Sequence, residues 1–383
     1  MTRTKKINIV GGNLMKLFRN AALLIILSLV FVLSTQNVRA QAGGAAVPFL
    51  LISPDARGSG MGEVGTAIAD DINAIYWNPA GLAFHDYVYT GAGDLDYVPY
   101  TQIAISFSKW LPQFNADLYY SYATIGRYFE DLDGTVAFNF VFMNLGEFTK
   151  TYVDGTVGGK FLSNEFSFGL SYGTIVAEDF GIGFQLRYIQ SNLAPASAVT
   201  GGDAGVGISG SFDFGVLWKP QDLEVWGLDL SNRIGLGLNL QNVGPKMTYL
   251  NVADPLPTTL RLGTSFRLVD DEFNDLIVAV DMAKLLVKRE GLDSDPLPLS
   301  LISGWENGGA EWAFGTEYWY QDIVALRAGY FMEPTNLGNR KYWNFGAGVR
   351  YDIFSLDFSF INTIEENHPL ANTMRFSLLI DWL

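Results

Sequence analysis

The feature of this sequence that most constrains its fold is a repeated alternation of apolar and polar residues. In residues 165–173, Phe166, Phe168, Leu170 and Tyr172 occupy every second position. The same period of two recurs in residues 181–190, 233–241, 343–352 and 374–382. Successive side chains of a β-strand point to opposite faces, so this period predicts strands, and its recurrence predicts an all-β chain.

The polar face of these strands favours a membrane barrel over a soluble β-sandwich. A sandwich turns a charged face to water, whereas the second face here is mostly Gly, Ser, Asn and single charges. Charged residues make up 17% of the chain, against about 25% in soluble domains. The apolar face often ends in aromatic residues, as lipid-facing barrel walls do. We therefore predict an outer-membrane antiparallel β-barrel.

The alternation predicts about 14 strands, and bacterial barrels have an even number. They are expected near residues 102–110, 116–125, 134–144, 164–173, 180–190, 210–218, 232–242, 258–267, 275–283, 310–319, 323–331, 342–351, 354–361 and 373–382. Residues 87–94 could add a fifteenth strand, which the even count disfavours.

The predicted connections alternate between short and long from the fourth strand onward. Long connections follow odd strands, at 145–163, 191–209, 243–257, 284–309, 332–341 and 362–372, and the connection at 219–231 is intermediate. Barrels have short periplasmic turns and long external loops. Both ends of the barrel wall are therefore expected in the periplasm.

The first 40 residues have the layout of a cleaved signal peptide. A basic region is followed by 13 apolar residues at 21–33, and small residues precede position 41. A membrane-anchoring helix is the alternative, but the apolar stretch ends in polar residues at 34–37, before it reaches the about 20 residues that a span needs. We predict a signal peptide at 1–40 and, together with the predicted barrel, a location in the outer membrane of a gram-negative bacterium.

Residues 41–100 do not alternate and are predicted to form a hatch or plug with short helices, ahead of the barrel at 101–383. Residues 55–65 are rich in glycine, and residues 67–77 have weak helical spacing. Asn78, Pro79 and Ala80 place a capping residue before a proline, which is how a short helix begins. A 14-stranded wall encloses more space than its own side chains fill.

Composition excludes several functions. The 40 acidic residues outnumber the 25 basic ones, which argues against nucleic acid as a partner. The absence of Cys excludes disulfides and thiolate chemistry. Residues 169–173 match a serine nucleophile motif, but they lie within a predicted strand, where the motif's sharp turn cannot form. We expect no catalytic residues, no metal and no cofactor.

Charged residues are expected on the inner face of the barrel. Five arginines fall there: Arg187, Arg261, Arg327, Arg350 and Arg375. One interpretation is a polar lumen that guides a ligand. The other is a luminal polar network in which these arginines pair with acids of the wall and plug, namely Asp352, Asp381, Asp55, Asp70 and Asp71.

The connection 284–309 is a candidate contact loop for cargo or another partner. It carries more apolar residues than a solvated loop needs: Leu292, Leu297, Leu299, Leu301, Ile302 and Trp305. Exposed apolar patches mark interfaces. The alternative is a lid that folds over the mouth of the barrel.

Several ordered motifs resemble the PorV family, outer-membrane components of the type IX secretion system related to the FadL long-chain fatty-acid channels. The N-terminal motifs are residues 48–57 (PFLLISPDAR), 61–65 (MGEVG) and 77–80 (WNPA). The C-terminal motifs are residues 317–320 (EYWY), 326–331 (LRAGYF), 338–340 (GNR), 345–348 (FGAG) and 375–378 (RFSL). Residues 100–300 resemble the family mainly in their pattern.

The resemblance implies a non-enzymatic role in protein secretion. Members of this family bind the C-terminal signal domain of secreted cargo, dock against the translocon barrel and deliver cargo to the cell-surface attachment complex, while embedded in outer-membrane lipid. A FadL-like transporter of hydrophobic small molecules is the alternative, since one fold can serve both functions. A lipid A deacylase is a third and weaker alternative, because no credible catalytic triad is present.

Overall fold

The computed structural model of the 383-residue chain describes residues 44–85, 87–90, 94–97, 101–114, 117–152, 154–196, 205–250, 252–290, 293–306, 308–335, 337–366 and 368–382. The predicted signal peptide lies outside these residues. So do the residues at the two predicted boundaries, 40 and 100.

Among the described residues, 14 antiparallel strands close into one barrel, which confirms the predicted fold. They are β1 (Thr101–Lys109), β2 (Tyr119–Phe129), β3 (Gly134–Thr151), β4 (Val157–Ala177), β5 (Phe180–Ala194), β6 (Gly205–Trp218), β7 (Ile234–Val243), β8 (Thr259–Asp270), β9 (Asn274–Leu285), β10 (Glu311–Tyr320), β11 (Val324–Met332), β12 (Lys341–Tyr351), β13 (Phe354–Thr363) and β14 (Met374–Trp382). Each strand pairs with its neighbours in the chain, and β14 pairs with β1 to close the wall.

The alternation of the sequence becomes the two faces of this wall. On β4, Leu170 is 54% exposed on the outer face, whereas Ser171 is 1% exposed on the inner face. Neighbouring aromatic residues contact each other on the outer face, for example Phe140 and Phe168, whose ring centroids lie 4.9 Å apart. The period of two therefore places an apolar, aromatic surface outside and small polar residues inside.

Residues 145–163 differ from the predicted long loop. β3 and β4 run on past their neighbours as a two-stranded hairpin, in which Phe148 pairs with Phe161 and Tyr152 N donates to Thr156 O (2.9 Å). A bulge between Asn144 and Gly146, where Gly146 has φ 81°, interrupts the period of two and hides these strands in the sequence. We call residues 145–163 the protruding hairpin. Tyr87–Thr90 and Asp94–Tyr97 form a separate two-stranded sheet, not a fifteenth barrel strand.

The connections divide the barrel into two ends. The turns at 130–133, 178–179, 271–273, 321–323 and 352–353 lie at one end, which we call the short-turn end, together with the longer connection 219–233. The opposite, long-loop end carries the protruding hairpin and the connections 110–118, 195–204, 244–258, 286–310, 333–340 and 364–373. No helix among the described residues is long and apolar enough to cross a membrane.

Residues 44–85, which we call the inner segment, lie inside the barrel. They form two 3-10 helices, Pro48–Leu51 and Pro79–Phe84, and the α-helices α1 (Ala56–Gly60) and α2 (Ala74–Trp77). The Asp55 carboxylate accepts from Gly58 N (2.7 Å) and caps α1. The helix Pro79–Phe84 packs on β3–β6, and α1 packs on β11–β14. The inner segment therefore contacts two opposite parts of the wall.

Candidate functional site

The predicted Asn78-Pro79-Ala80 turn joins two parts of the inner segment to the barrel wall. Asn78 Nδ2 donates to Thr66 O (2.9 Å) and to Val216 O on β6 (3.0 Å), and Asn78 Oδ1 accepts from Ala80 N (3.1 Å). The Asn78 side chain is fully buried. Both polar atoms of this amide group therefore form hydrogen bonds, three in all, that no apolar side chain can replace.

Glycines in the wall give this turn its space. A Cβ atom built at Gly183 of β5 would overlap the carbonyl of Pro79, and one at Gly215 of β6 would overlap Asn78 Oδ1. The backbone of the inner segment thus lies directly against the backbone of these strands. Any larger residue at either position must displace the turn.

The wall also holds the inner segment through polar side chains on several other strands. Asp281 on β9 accepts from Gly65 N (3.0 Å), Thr66 N (2.9 Å) and Thr66 Oγ1 (2.6 Å). Asn239 on β7 donates to Trp77 O (2.9 Å). Lys219, just after β6, donates to Ile68 O (2.7 Å). Backbone groups that form no regular helix are satisfied by the wall instead.

An ion-pair network links the inner segment to β10 and β11. Arg57 Nη2 lies 2.7 Å from Glu317 Oε1, and Arg57 Nη1 pairs with Asp70 (2.5 Å) and Asp71 (3.1 Å). Arg327 Nε pairs with Glu317 Oε2 at 2.6 Å. A cavity of about 450 Å³ lies beside this network at the short-turn end, lined mostly by charged residues.

The acids of the inner segment in this network have shifted pKa values. Burial alone would raise the pKa of Asp70. The nearby positive charges of Arg57 and Lys219 have the larger, opposite effect, so the pKa of Asp70 lies well below its ordinary value. Burial raises the pKa of Asp71 to about 6, against the attraction of Arg57. The two neighbouring carboxylates therefore titrate in different pH ranges.

Three of the five predicted luminal arginines are buried and have polar partners. Arg187 Nη2 pairs with Asp213 Oδ2 at 2.8 Å. Arg327 pairs with Glu317 and, through Nη1, with Asp357 at 2.6 Å. Arg261 Nε donates to Gln241 Oε1 at 3.1 Å. Charge pairing and hydrogen bonding thus occupy these guanidinium groups within the barrel.

The other two arginines differ from these three. Arg350 lies exposed over the ring of Trp319, with its guanidinium carbon 4.6 Å from the ring centroid, and its Nε donates to Ser355 Oγ (3.4 Å). Arg375 is only 2% exposed, and its Nε and Nη1 atoms have no hydrogen-bond acceptor among the described residues. The five arginines therefore do not form one connected network.

The acids predicted to neutralise the wall arginines are placed differently. Asp70 and Asp71 pair with Arg57 of the inner segment, and Asp381 accepts from Gln102 Nε2. Asp352 was predicted in the lumen, but this is wrong, because the strand ends one residue earlier. It lies exposed in the turn between β12 and β13 with φ 54°.

Three other acids pair with the wall arginines instead. They are Asp213, Glu317 and Asp357. Each is an isolated acid on the inner face of a predicted strand. This is the signal that could have found them.

The predicted contact loop presents a small apolar surface at the long-loop end. Ile302 is 75% exposed and Leu299 is 52% exposed, at and beside α3 (Ser300–Ser303). Leu297, Leu301 and Trp305 are half-buried. Leu292 lies outside the described residues.

Polar contacts with the neighbouring connection 244–258 anchor this loop. Arg289 Nη2 pairs with Asp254 Oδ1 at 2.7 Å, and Leu286 N donates to Thr258 O at 2.7 Å. Lys246 Nζ donates to Ser294 O. These contacts fix the position of the loop that presents the exposed side chains.

The protruding hairpin carries a second exposed apolar surface. Val157 is 70% exposed, Leu162 68% and Phe148 47%. Beyond Asn144 and Asn164, its two strands pair only with each other, so both outer edges lack a neighbouring strand among the described residues. The sequence pattern predicts a long connection for this segment. Its apolar residues, Phe148, Phe161 and Leu162, were the available signal.

The described residues contain no group of three or more His, Asp or Glu side chains placed to hold a metal ion.

Comparison with known proteins gives both a fold and a family. No protein with a curated description matches the sequence. The crystal structure of the toluene transporter TbuX of Ralstonia pickettii has a TM-score of 0.51 at 10% identity, over 88% of this chain and 100% of that one. The toluene transporter TodX of Pseudomonas putida gives 0.49 at 12% identity, over 91% and 99%. A FadL homologue of Pseudomonas aeruginosa gives 0.47 at 13% identity, over 89% and 99%.

The likeness to TbuX shows the fold alone. The family profile described as "Type IX secretion system protein PorV" matches residues 34–290, which is most of the chain. This match confirms the resemblance carried by the sequence motifs. The chain belongs to the PorV family of type IX secretion system proteins and is an outer-membrane β-barrel.

Proposed function

We propose that this protein binds the C-terminal signal domain of secreted cargo as it leaves the type IX translocon barrel, and carries the cargo to the cell-surface attachment complex. The family match over residues 34–290 carries this proposal. In it, residues 1–40 are a cleaved signal peptide, residues 41–100 form the plug, and the barrel at 101–383 stands in the outer membrane of a gram-negative bacterium with both termini in the periplasm.

The long-loop end supplies surfaces that suit cargo binding. Ile302 and Leu299 stand exposed on an anchored loop, and Val157 and Leu162 stand exposed on the protruding hairpin. Exposed apolar groups outside the lipid-facing wall cost free energy unless a partner covers them. Short turns of bacterial barrels face the periplasm, so these surfaces would face the cell exterior, where cargo emerges.

The alternative function is a FadL-like transport of hydrophobic small molecules. A transporter of this kind needs an apolar passage through the barrel. A cavity lined mostly by charged residues instead lies among Arg57, Glu317 and their neighbours, and the inner segment is held by buried polar contacts from several strands. These features favour a barrel closed by its plug over an open apolar route.

Site-specific photo-crosslinking in cells tests the proposed function. A photoreactive phenylalanine replaces Ile302, and the matched control replaces Leu186, which is 62% exposed on the lipid-facing side of β5. We expect the Ile302 position to capture several secreted proteins that share one C-terminal domain. The Leu186 position should capture only lipid and neighbouring membrane proteins.

Two outcomes would contradict this assignment. Identical captures at both positions would mean that the loop does not select cargo. Uptake of a hydrophobic solute into liposomes that contain the purified protein, above the rate of empty liposomes, would favour transport instead.

A further inference from the structure

The connection 219–233 contains a tight turn that holds a tryptophan in a strained conformation. Glu224–Val225 pairs with Leu228–Asp229, so Trp226 and Gly227 are the two central residues of the turn. Their φ angles are 52° and 79°. Turns of this kind favour Asn-Gly or Asp-Gly, because a bulky side chain at positive φ is strained. Such strain indicates that the side chain has a function. We call residues 220–232 the Trp226 hairpin.

The side chain of Trp226 is not packed against the rest of the protein. It is 97% exposed, and Leu228 beside it is 63% exposed. The Trp226 hairpin forms its own two-stranded sheet outside the barrel wall, so contact of the wall with lipid does not account for this exposure. Exposed apolar groups mark binding surfaces, and tryptophan is enriched among the residues that contribute most to protein–protein binding.

Hydrogen bonds hold the Trp226 hairpin in one position at the short-turn end. Gln221 N donates to Asp179 Oδ1 of a neighbouring turn (3.0 Å), and Leu223 N donates to Ser231 Oγ (3.0 Å). The Leu223 side chain is buried. A partner would therefore meet a preformed surface, and little conformational entropy would be lost when it binds.

Acidic residues surround Trp226. The hairpin has three exposed acids, none of which forms an ion pair with a described residue: Asp222, Glu224 and Asp229. Every other turn of the short-turn end also carries at least one acid. The basic residues of these turns are Lys219 and Arg233, and both donate to backbone carbonyl groups. The outward surface at this end is therefore anionic.

We propose that the Trp226 hairpin docks a basic periplasmic protein, in which an apolar pocket for Trp226 is surrounded by lysine and arginine side chains. The compartment rests on the proposed function, in which the short-turn end faces the periplasm. Trp226 and Leu228 would bury apolar surface, and the acids would pair with the basic rim of the pocket. The headgroup layer of the membrane fits less well, because anionic lipids attract basic residues and repel acids.

Photo-crosslinking in cells tests the docking site. A photoreactive phenylalanine replaces Leu228, and the matched control replaces Leu132, which is 53% exposed in another turn at the same end. We expect position 228 to capture one periplasmic protein with an excess of lysine and arginine, which position 132 does not capture. Capture of phospholipid alone, of an acidic protein or of nothing at position 228 would overturn the proposal.

Substitution of Trp226 separates binding from folding. Asn suits this turn better than tryptophan does, so Trp226→Asn should not lower the unfolding temperature in detergent. Capture at position 228 should nevertheless fall at least about tenfold, because the apolar anchor is lost. Equal capture by Trp226→Asn and the wild type would contradict the docking site.

Reversal of charge tests the chemistry of the partner. Glu224→Lys combined with Asp229→Lys should lower capture at position 228 at least about tenfold, because the basic rim then meets like charges. Glu130→Lys combined with Asp131→Lys makes the same change of charge in a different turn and should leave capture unchanged. Equal losses in the two double variants would mean a general effect of charge and would overturn the basic pocket.

Two further readouts separate this proposal from the proposed function. The sequence has no Cys, so Trp226→Cys provides a single labelling site. A maleimide too large to cross the outer membrane should modify it only after the membrane is permeabilised, and modification in intact cells would overturn the periplasmic partner. Cargo capture at position 302 should be unchanged in Trp226→Asn. If position 302 captures no cargo while position 228 captures the basic protein, the proposed function fails and the docking site stands.

Discussion

Arg57 of the inner segment and Glu317 of β10 form an ion pair across the space between plug and wall, with Nη2 and Oε1 2.7 Å apart. The Glu317 side chain is fully buried, and its second oxygen lies 2.6 Å from Nε of Arg327. One carboxylate thus lies between a guanidinium of the inner segment and one of the wall. At this point of the wall, one buried acid joins the inner segment to the barrel.

Replacing Arg57 by Met should destabilise the protein strongly. The change leaves Glu317 with one cation and leaves Asp70 without its closest partner, and breaking a buried pair costs about 3 kcal/mol. The free energy of unfolding can be measured by urea titration in detergent micelles. Arg267→Met is the control, because that ion pair is about one-third exposed and should be worth under about 1 kcal/mol. Equal losses for the two variants would contradict the role of the buried pair.

Asn78→Asp should destabilise the barrel more than Asn78→Ala. Both variants lose the donor bonds to Thr66 O and Val216 O, and each lost buried bond costs about 1–3 kcal/mol. Asp caps a helix as well as Asn does, so capping alone predicts the reverse order. The carboxylate, however, places an oxygen against two carbonyl oxygens. The unfolding temperatures of the two variants in detergent decide between these orders.

Gly183→Ala should displace the turn at residues 78–80 and open the barrel. The added Cβ atom overlaps the Pro79 carbonyl, and the overlap is with backbone that cannot rotate away. The wild type should show no single-channel conductance in planar bilayers, whereas Gly183→Ala should show a measurable one. Gly210→Ala is the control, because its Cβ atom would lie in ordinary contact with Arg187 O, at 3.4 Å. Closed channels in Gly183→Ala would show that the turn tolerates the extra atom.

The buried His85 should make the protein less stable below neutral pH. Burial lowers the pKa of His85 to about 4, from an ordinary value of 6.5. Between these two pH values the unfolded chain binds a proton that the folded chain does not, so the free energy of unfolding falls as the pH drops. The expected loss is roughly 3 kcal/mol when the pH has fallen below 4.

Urea titration at several pH values between 4 and 7.5 measures this loss. Asp71 acts in the opposite direction, because its raised pKa favours the folded state as the pH falls through 6. Comparing variants with the wild type removes this second effect. His85→Gln should flatten the pH dependence, and His368→Gln, which changes the only other histidine of the sequence, should keep it. An unchanged slope in His85→Gln would refute the assignment to this residue.

The sequence predicted the strands well because lipid and lumen impose opposite requirements on alternate residues. All 14 predicted strands overlap a strand of the barrel. The ion pairs could not be predicted from alternation alone. A shift of two residues in register keeps every side chain on its face but changes every partner. Glu317 and Arg327 are direct cross-strand partners only in the register that the barrel adopts.

The protruding hairpin escaped prediction for a different reason. Its strands leave the membrane, so the lipid no longer requires an apolar residue at every second position. The bulge at Gly146 also shifts the period. The prediction placed Asp352 in the lumen because the alternation continues through Tyr351, whereas the backbone turns at Asp352 with a positive φ.

The protruding hairpin should be dispensable for folding and necessary for cargo capture. Replacing residues 147–160 by Asn-Gly removes Phe148 and Val157 but no pair between the hairpin and its neighbouring strands. The unfolding temperature in detergent should therefore stay within about 2 °C of the wild type, since no wall contact is lost.

Capture of secreted proteins by a photoreactive residue at position 302 should fall at least about tenfold in the same variant, if the hairpin and the contact loop form one surface. A drop of this size corresponds to about 1.4 kcal/mol of binding free energy. Deleting residues 224–229 at the short-turn end, which include Trp226 at 97% exposure, is the control and should leave capture unchanged. If the hairpin deletion also leaves capture unchanged, the hairpin matters no more for capture than residues 224–229 at the other end of the barrel. The cargo surface is then confined to the contact loop.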